Sequence, residues 1–88
     1  MKYRRSDRFK KSYAALSEED KKATDKAFKL FKKDPHHPSL RTRKMSGKPG
    51  VWEGHVSVAC VFTFRYSDGG DESICEFLDI GTHDIYRR

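Results

Sequence analysis

The chain of 88 residues is 35% hydrophobic and 36% charged, and its six Phe, four Tyr and one Trp suffice for one small core, so one domain over 1–88 is expected. No apolar run approaches the roughly 20 residues that span a bilayer, and the opening Met1-Lys2-Tyr3-Arg4-Arg5 stretch lacks the apolar centre of an export signal. A soluble, cytoplasmic protein with no membrane partner is the expectation. A net charge of +6 favours an anionic partner, while two cysteines without Cys-x-x-Cys spacing and the adjacent His36 and His37 speak against a disulfide framework or a metal site.

A short strand is expected at 2–4, and Ser6 then offers a hydroxyl cap to a helix whose Phe9, Tyr13 and Leu16 recur on one face. The run Ser17-Glu18-Glu19-Asp20 starts a second helix of about four turns, because a hydroxyl cap followed by acids suits the positive end of the helix dipole. Its apolar stripe reads Ala23, Ala27, Leu30 and Phe31, with Lys21, Lys22, Lys26, Lys29, Lys32 and Lys33 mainly outside. Pro35 ends it near Asp34, and the two helices form an antiparallel hairpin.

Beyond the Pro35-His36-His37-Pro38 segment the pattern changes from helical to period two. A short strand is expected near 41–46. From Val51 to Val58, Trp52, Gly54, Val56 and Val58 alternate with Val51, Glu53, His55 and Ser57, which puts Trp52 in the core and His55 on the opposite side. Cys60 to Tyr66 and Ser73 to Ile80 flank the turn Ser67-Asp68-Gly69-Gly70-Asp71 and read as a hairpin. The expected fold is therefore α+β, an N-terminal helical hairpin packed on a small, twisted, mainly antiparallel sheet. Both 1–11 and 29–48 are strongly basic, whereas 51–86 carries seven acids against Arg65, so the molecule should present a dipolar surface able to steer a polyanion.

Three segments carry a resemblance: His37-Pro38-Ser39-Leu40-Arg41, then Gly47-Lys48-Pro49-Gly50-Val51-Trp52-Glu53-Gly54-His55-Val56, then Gly81-Thr82-His83-Asp84-Ile85-Tyr86-Arg87. In this order, behind a helical hairpin, they resemble the RelE/ParE toxin superfamily and above all its YafQ-like messenger RNA interferases. The resemblance covers essentially the whole chain. It implies the toxin of a type II toxin-antitoxin system, silenced by a cognate antitoxin protein, that enters the ribosome and cuts messenger RNA without a metal or small-molecule cofactor.

Such cleavage, by attack of a ribose 2′-hydroxyl on the adjacent phosphate, needs a base, an acid and a cation. The resemblance implies His55 and His83 as the catalytic pair, histidine being able to serve either proton-transfer role near neutral pH. Lys44, with Arg41 and Arg43, stands where the resemblance implies RNA-binding cations, Lys48 belongs to the same basic segment, Arg65 is the partial substitute for an arginine missing from the strand, and Tyr86 is the implied aromatic platform for a base. Two departures stand against full activity: Ala59-Cys60-Val61 replaces a Gly-Tyr-Arg found in many relatives, and Asp79 stands where YafQ-like toxins often have Arg. The alternatives are accordingly a ParE-like inhibitor of DNA gyrase and a weakened or inactive homologue acting as a binding module.

Overall fold

The computed structural model describes residues 1–70 and 72–87. Strand β1, Lys2–Arg5, leads into helices α1, Asp7–Ala14, and α2, Glu18–Lys33. A 3₁₀ turn at Pro38–Leu40 precedes strands β2, Arg43–Lys44, β3, Trp52–His55, β4, Val61–Gly69, and β5, Glu72–Gly81, and a last 3₁₀ turn spans His83–Arg87. The five strands run in the order β1-β5-β4-β3-β2, with β1 parallel to β5 and the other neighbours antiparallel. The sheet is thus mixed: the two helices carry the chain from β1 to β2 at the opposite edge, and the antiparallel meander β2-β3-β4-β5 then brings β5 alongside β1 in the parallel sense.

Both helix starts follow the capping chemistry. Ser6 Oγ accepts from the Phe9 amide at 3.0 Å and donates to the Leu78 carbonyl at 2.7 Å, while the Ser6 amide donates to the Phe77 carbonyl at 2.9 Å. One residue therefore caps α1 and rivets it to β5. Ser17 Oγ accepts from the Asp20 amide at 3.1 Å, with Glu18, Glu19 and Asp20 at the positive end of α2 and Lys32 and Lys33 at the other.

All six Phe are at most 5% exposed: Phe9, Phe28, Phe31, Phe62, Phe64 and Phe77. Phe28 stacks on Phe77 with ring centroids 4.2 Å apart and meets Phe62 edge-on at 5.1 Å, and Phe31 meets Phe64 edge-on at 5.0 Å. The buried positions of α2 are Thr24, Phe28 and Phe31, not the full stripe of Ala23, Ala27, Leu30 and Phe31; the two alanines and Leu30 are half-buried along one flank. The large rings take the centre of the contact because they bury more area than alanines one position away. Trp52 is likewise half-buried, stacked on Phe64 at 6.1 Å and closed from outside by His36 at 5.4 Å, so it seals the rim of a core that phenylalanine fills.

Strand β3 stops at His55 instead of running to Val58. The Val56 and Ser57 amides both donate to the Cys60 carbonyl, and Val58 is left 88% exposed. The β4–β5 hairpin is longer than the sequence pattern indicates, since pairing reaches Gly69↔Glu72; Gly70 takes φ 77° in its turn, and Asp71 lies outside the described residues. Between Thr63↔Asp79 and Phe64↔Phe77 the register shifts, a bulge at Leu78. Cys60 and Cys75 are buried free thiols far from redox chemistry; burial pushes Cys75 up to about 12.

Gly54 lies flat beneath the Phe62 ring, where a Cβ would collide with three of its carbons. Gly54→Ala should cost about 1 to 3 kcal/mol by overpacking. Denaturant unfolding of the single variant and of Gly54→Ala/Phe62→Leu checks this: the double variant should recover part of the loss, and a fully additive pair would show that the ring is not the obstacle.

Candidate active site

Residues paired across an antiparallel ladder share a face. The pairs Arg43↔Glu53, Glu53↔Thr63 and His55↔Val61 therefore place Arg43, Glu53 and His55 on the face away from the helices, whereas Lys44↔Trp52 and Gly54↔Phe62 lie on the helix-covered face. The last 3₁₀ turn crosses the open face, with Ile85 3% exposed and Val61 fully buried. His83 heads this turn. Its ring lies 6.0 Å from that of His55, centroid to centroid, and 5.6 Å from that of Tyr86.

The Val58 carbonyl lies 3.2 Å from His83 Nε2 and can only accept, so Nε2 carries a proton and Nδ1 is the nitrogen left to accept or donate. His55 is half-buried at the floor of a cleft of about 200 Å³ shared with Ser39, Arg41, Ser57 and Val58. Burial lowers the pKa of His55, and His83, Arg41 and Arg43 push the same way against the raising influence of Glu53. The imidazole of His55 is accordingly neutral at pH 7 and able to accept a proton.

The His37-Pro38-Ser39-Leu40-Arg41 segment builds the opposite wall. His37 Nδ1 accepts from the Ser39 amide at 3.1 Å and so caps the 3₁₀ turn, Leu40 is buried in the aromatic core, and Arg41 follows in the left-handed region with φ 48° and ψ 45°. Among the described residues Arg41 is the one non-glycine with positive φ, a conformation costing about 1 to 3 kcal/mol that the capped turn and its anchor hold in place. Its side chain is exposed at the cleft mouth.

The remaining cations of the sequence reading are less free. Arg43 Nε is hydrogen-bonded and ion-paired to Glu53, a carboxylate only 5% exposed. Lys48 Nζ donates to the Tyr86 carbonyl at 3.2 Å and ties the β2–β3 loop to the last turn. Lys44 sits on the other face, its ammonium 5.7 Å from the Trp52 ring. Arg65 pairs with Glu76 at 3.0 Å, four residues along β4 from Val61 and hence about 13 Å away. Tyr86 is turned inward: its hydroxyl is buried beside the Glu53 carboxylate, and burial, reinforced by that carboxylate, pushes it up to about 12. Asp79, 5% exposed, accepts from Ser12 Oγ at 2.6 Å and from the Ile80 amide.

The fold thus brings His55 and Arg41 to one cleft with His83 beside His55 at its edge, backs them with Arg43, Lys48 and Tyr86, and leaves Lys44 and Arg65 elsewhere. Glu53 joins the group without having been singled out in the sequence. Its place two residues before His55 in a strand was the available signal, since both then share a face.

The architecture is that of the RelE/ParE-like toxins. The chain superposes on a YoeB/ParE toxin from Agrobacterium tumefaciens with TM-score 0.75 at 17% identity, covering 94% of this chain and 99% of that one. It superposes on YafQ from E. coli strain BL21(DE3) with TM-score 0.76 at 16% identity over 96% and 94% of the two chains. A third match is the E. coli DinJ-YafQ toxin-antitoxin complex, with TM-score 0.74 at 15% identity over 94% and 92%. No protein-family model and no curated protein matches the sequence. No helix among the described residues is long and apolar enough to cross a membrane.

The His55 titration is a direct check on this geometry. Its NMR midpoint should fall below the usual value near 6.5, rise in Arg41→Ala as a repelling cation is removed, and fall further in Glu53→Gln as the stabilising carboxylate is lost. Unchanged midpoints in both variants would show that neither charge faces the ring.

Proposed function

We propose that the chain is the toxin of a type II toxin-antitoxin system and a metal-independent endoribonuclease acting on messenger RNA at the ribosome. The observation that carries the proposal is the pairing of two imidazoles across 6.0 Å beside Arg41, on a fold shared with the YafQ and YoeB/ParE toxins. Neutral His55 takes the 2′-hydroxyl proton as the 2′ oxygen attacks phosphorus. His83, protonated, gives the proton of Nδ1 to the departing 5′ oxygen, leaving a 2′,3′-cyclic phosphate and a 5′-hydroxyl. Arg41 faces the extra negative charge of the phosphorane. Tyr86 and Glu53 support the turn that carries His83; an inward Tyr86 is not available as a platform for a base.

A cognate antitoxin is the proposed protein partner, by likeness to the DinJ-YafQ complex. Its acidic segment would cover the side of Arg41, Arg43 and Lys48, with Lys44 on the other face left outside the contact and binding that weakens as salt rises.

A second reading is favoured by the way the cations are used. Arg43 and Arg65 are paired with carboxylates, and Val61 is buried where an arginine would be wanted. Arg41 is then the cation left to serve the phosphate, and a weakened or inactive homologue, or a gyrase inhibitor, follows if it does not suffice.

Single-turnover cleavage on programmed ribosomes separates the readings. His83→Ala and His55→Ala should each lose about 10² to 10⁴ in rate with unchanged circular dichroism. The pH profile should rise on its acid side with a midpoint below the usual imidazole value, because His55 must be deprotonated and its pKa is lowered. Wild-type protein that leaves the message intact but blocks gyrase supercoiling would replace the nuclease reading.

A further inference from the structure

On the helix-covered side, β1, α1 and α2 enclose a cleft of about 420 Å³ around Arg5, Lys10 and Lys32, with Tyr3, Phe28 and Phe77 in its walls. The Arg5 guanidinium lies 5.5 Å from the Phe9 ring centroid, 5.6 Å from Tyr13 and 5.9 Å from Phe28, and the Lys32 ammonium lies 5.2 Å from Tyr3. Among the described residues none of these three cations makes an ion pair, and Arg4 at the margin shares Glu76 with Arg65. Asp25 on α2 accepts from the Tyr13 hydroxyl at 2.9 Å. Ring faces hold cations in place without neutralising them and leave the edge N–H groups of a guanidinium free to donate. Like charges gathered in this way repel one another until an anion arrives.

We infer that this cleft is a second nucleic-acid contact, which takes the phosphodiester backbone of a single strand away from the point of cleavage. The inference rests on the proposed RNA substrate and extends it to a new surface. The ligand is phosphate and not a base, because the rings are already covered: Tyr3 by Phe77 at 6.3 Å and by Lys32, Phe28 by Phe77 at 4.2 Å and by Phe9 at 5.7 Å. No open ring face remains for stacking, so the contact is blind to sequence. Lys22, Lys26, Lys29 and Lys33 are exposed at helical spacing along the outer face of α2, and Lys26 borders a groove of about 470 Å³ that ends at His55.

The test uses the full chain and a fluorescent single-stranded DNA oligonucleotide, which lacks the 2′-hydroxyl and is not cut, with anisotropy followed against salt. Lys10→Gln/Lys32→Gln should weaken binding on the order of tenfold and make the slope of log K against log salt shallower by about 1.4, the loss of two single-strand phosphate contacts. Lys2→Gln/Lys21→Gln removes the same charge from residues paired with Glu72 and Glu18, and should move the slope far less. Thermal melts confirm folding of both variants. Equal shifts in the two double variants, no DNA binding by wild type, or binding of a polyglutamate peptide in place of DNA would each overturn the inference. Ribosome cleavage is scored in parallel. Cleft-dependent DNA binding without cleavage retains the contact and removes the nuclease reading, whereas cleavage with an unchanged slope does the reverse.

Discussion

Six phenylalanine rings hold this molecule together, and the positions of its chemical groups follow from theirs. Phe28 and Phe31 press α2 onto Phe62, Phe64 and Phe77, and Phe9 closes the same cluster from α1. Burial of each ring stabilises by about 1.5 to 3 kcal/mol, and edge-on and stacked contacts add directionality. The cluster reaches the cleft along two routes. Leu40, buried in it, anchors the 3₁₀ turn that forces Arg41 into its left-handed conformation. Gly54, flat under Phe62, fixes the backbone one residue before His55. Both walls of the cleft are thus set by an interior that a hydrophobic error on α2 would disturb from the far side.

The open face is held by a different kind of interaction. Glu53 is buried with Arg43 on one side and the Tyr86 hydroxyl on the other, while Lys48 grips the Tyr86 carbonyl. The ion pair adds little net stability, since Glu53 is desolvated while the Arg43 side chain stays exposed to solvent. Its effect is to specify where the last turn sits. That turn carries His83, whose distance from His55 depends on it. Cations that the sequence suggested for RNA therefore act here on the protein's own groups.

Much of the fold was legible because local signals agreed. Ser6 and Ser17 cap helices where hydroxyl and acidic residues announced them, and Pro35 ends α2 as an imide without an N–H must. The alternation around Trp52 sorted His55 to the correct face even though β3 is half as long as the pattern suggested, since period two is set by the backbone and length by the turn at 56–60. What was not legible depended on contacts distant in sequence. Whether Phe28 or Ala27 occupies the core is decided by the strands that face the helix. That Arg65 belongs to Glu76 and Lys48 to the Tyr86 carbonyl is decided by register and by a loop closing on the chain end. For the cleft, residue types were visible in the sequence; which charges remained available was not.

Val61 shows why this distinction governs the proposed chemistry. On the family resemblance an arginine would stand here, on the same face as His55 and directly across from it. In this chain the position is fully buried, and the last turn with Ile85 lies over that face. The loss is therefore not an empty place awaiting a cation: apolar packing has taken it, and an arginine introduced there would carry its charge under a closed turn, at a desolvation cost of several kcal/mol. A phosphate reaching His55 must instead meet its positive partner from the opposite wall. Arg41 occupies that wall, exposed, held by a capped turn and an apolar anchor, and it already acts on the His55 proton equilibrium. In the proposed reaction the cation stands on a loop and not on a strand, which couples its placement to the His37 cap and would make charge stabilisation depend on the His37–Arg41 segment.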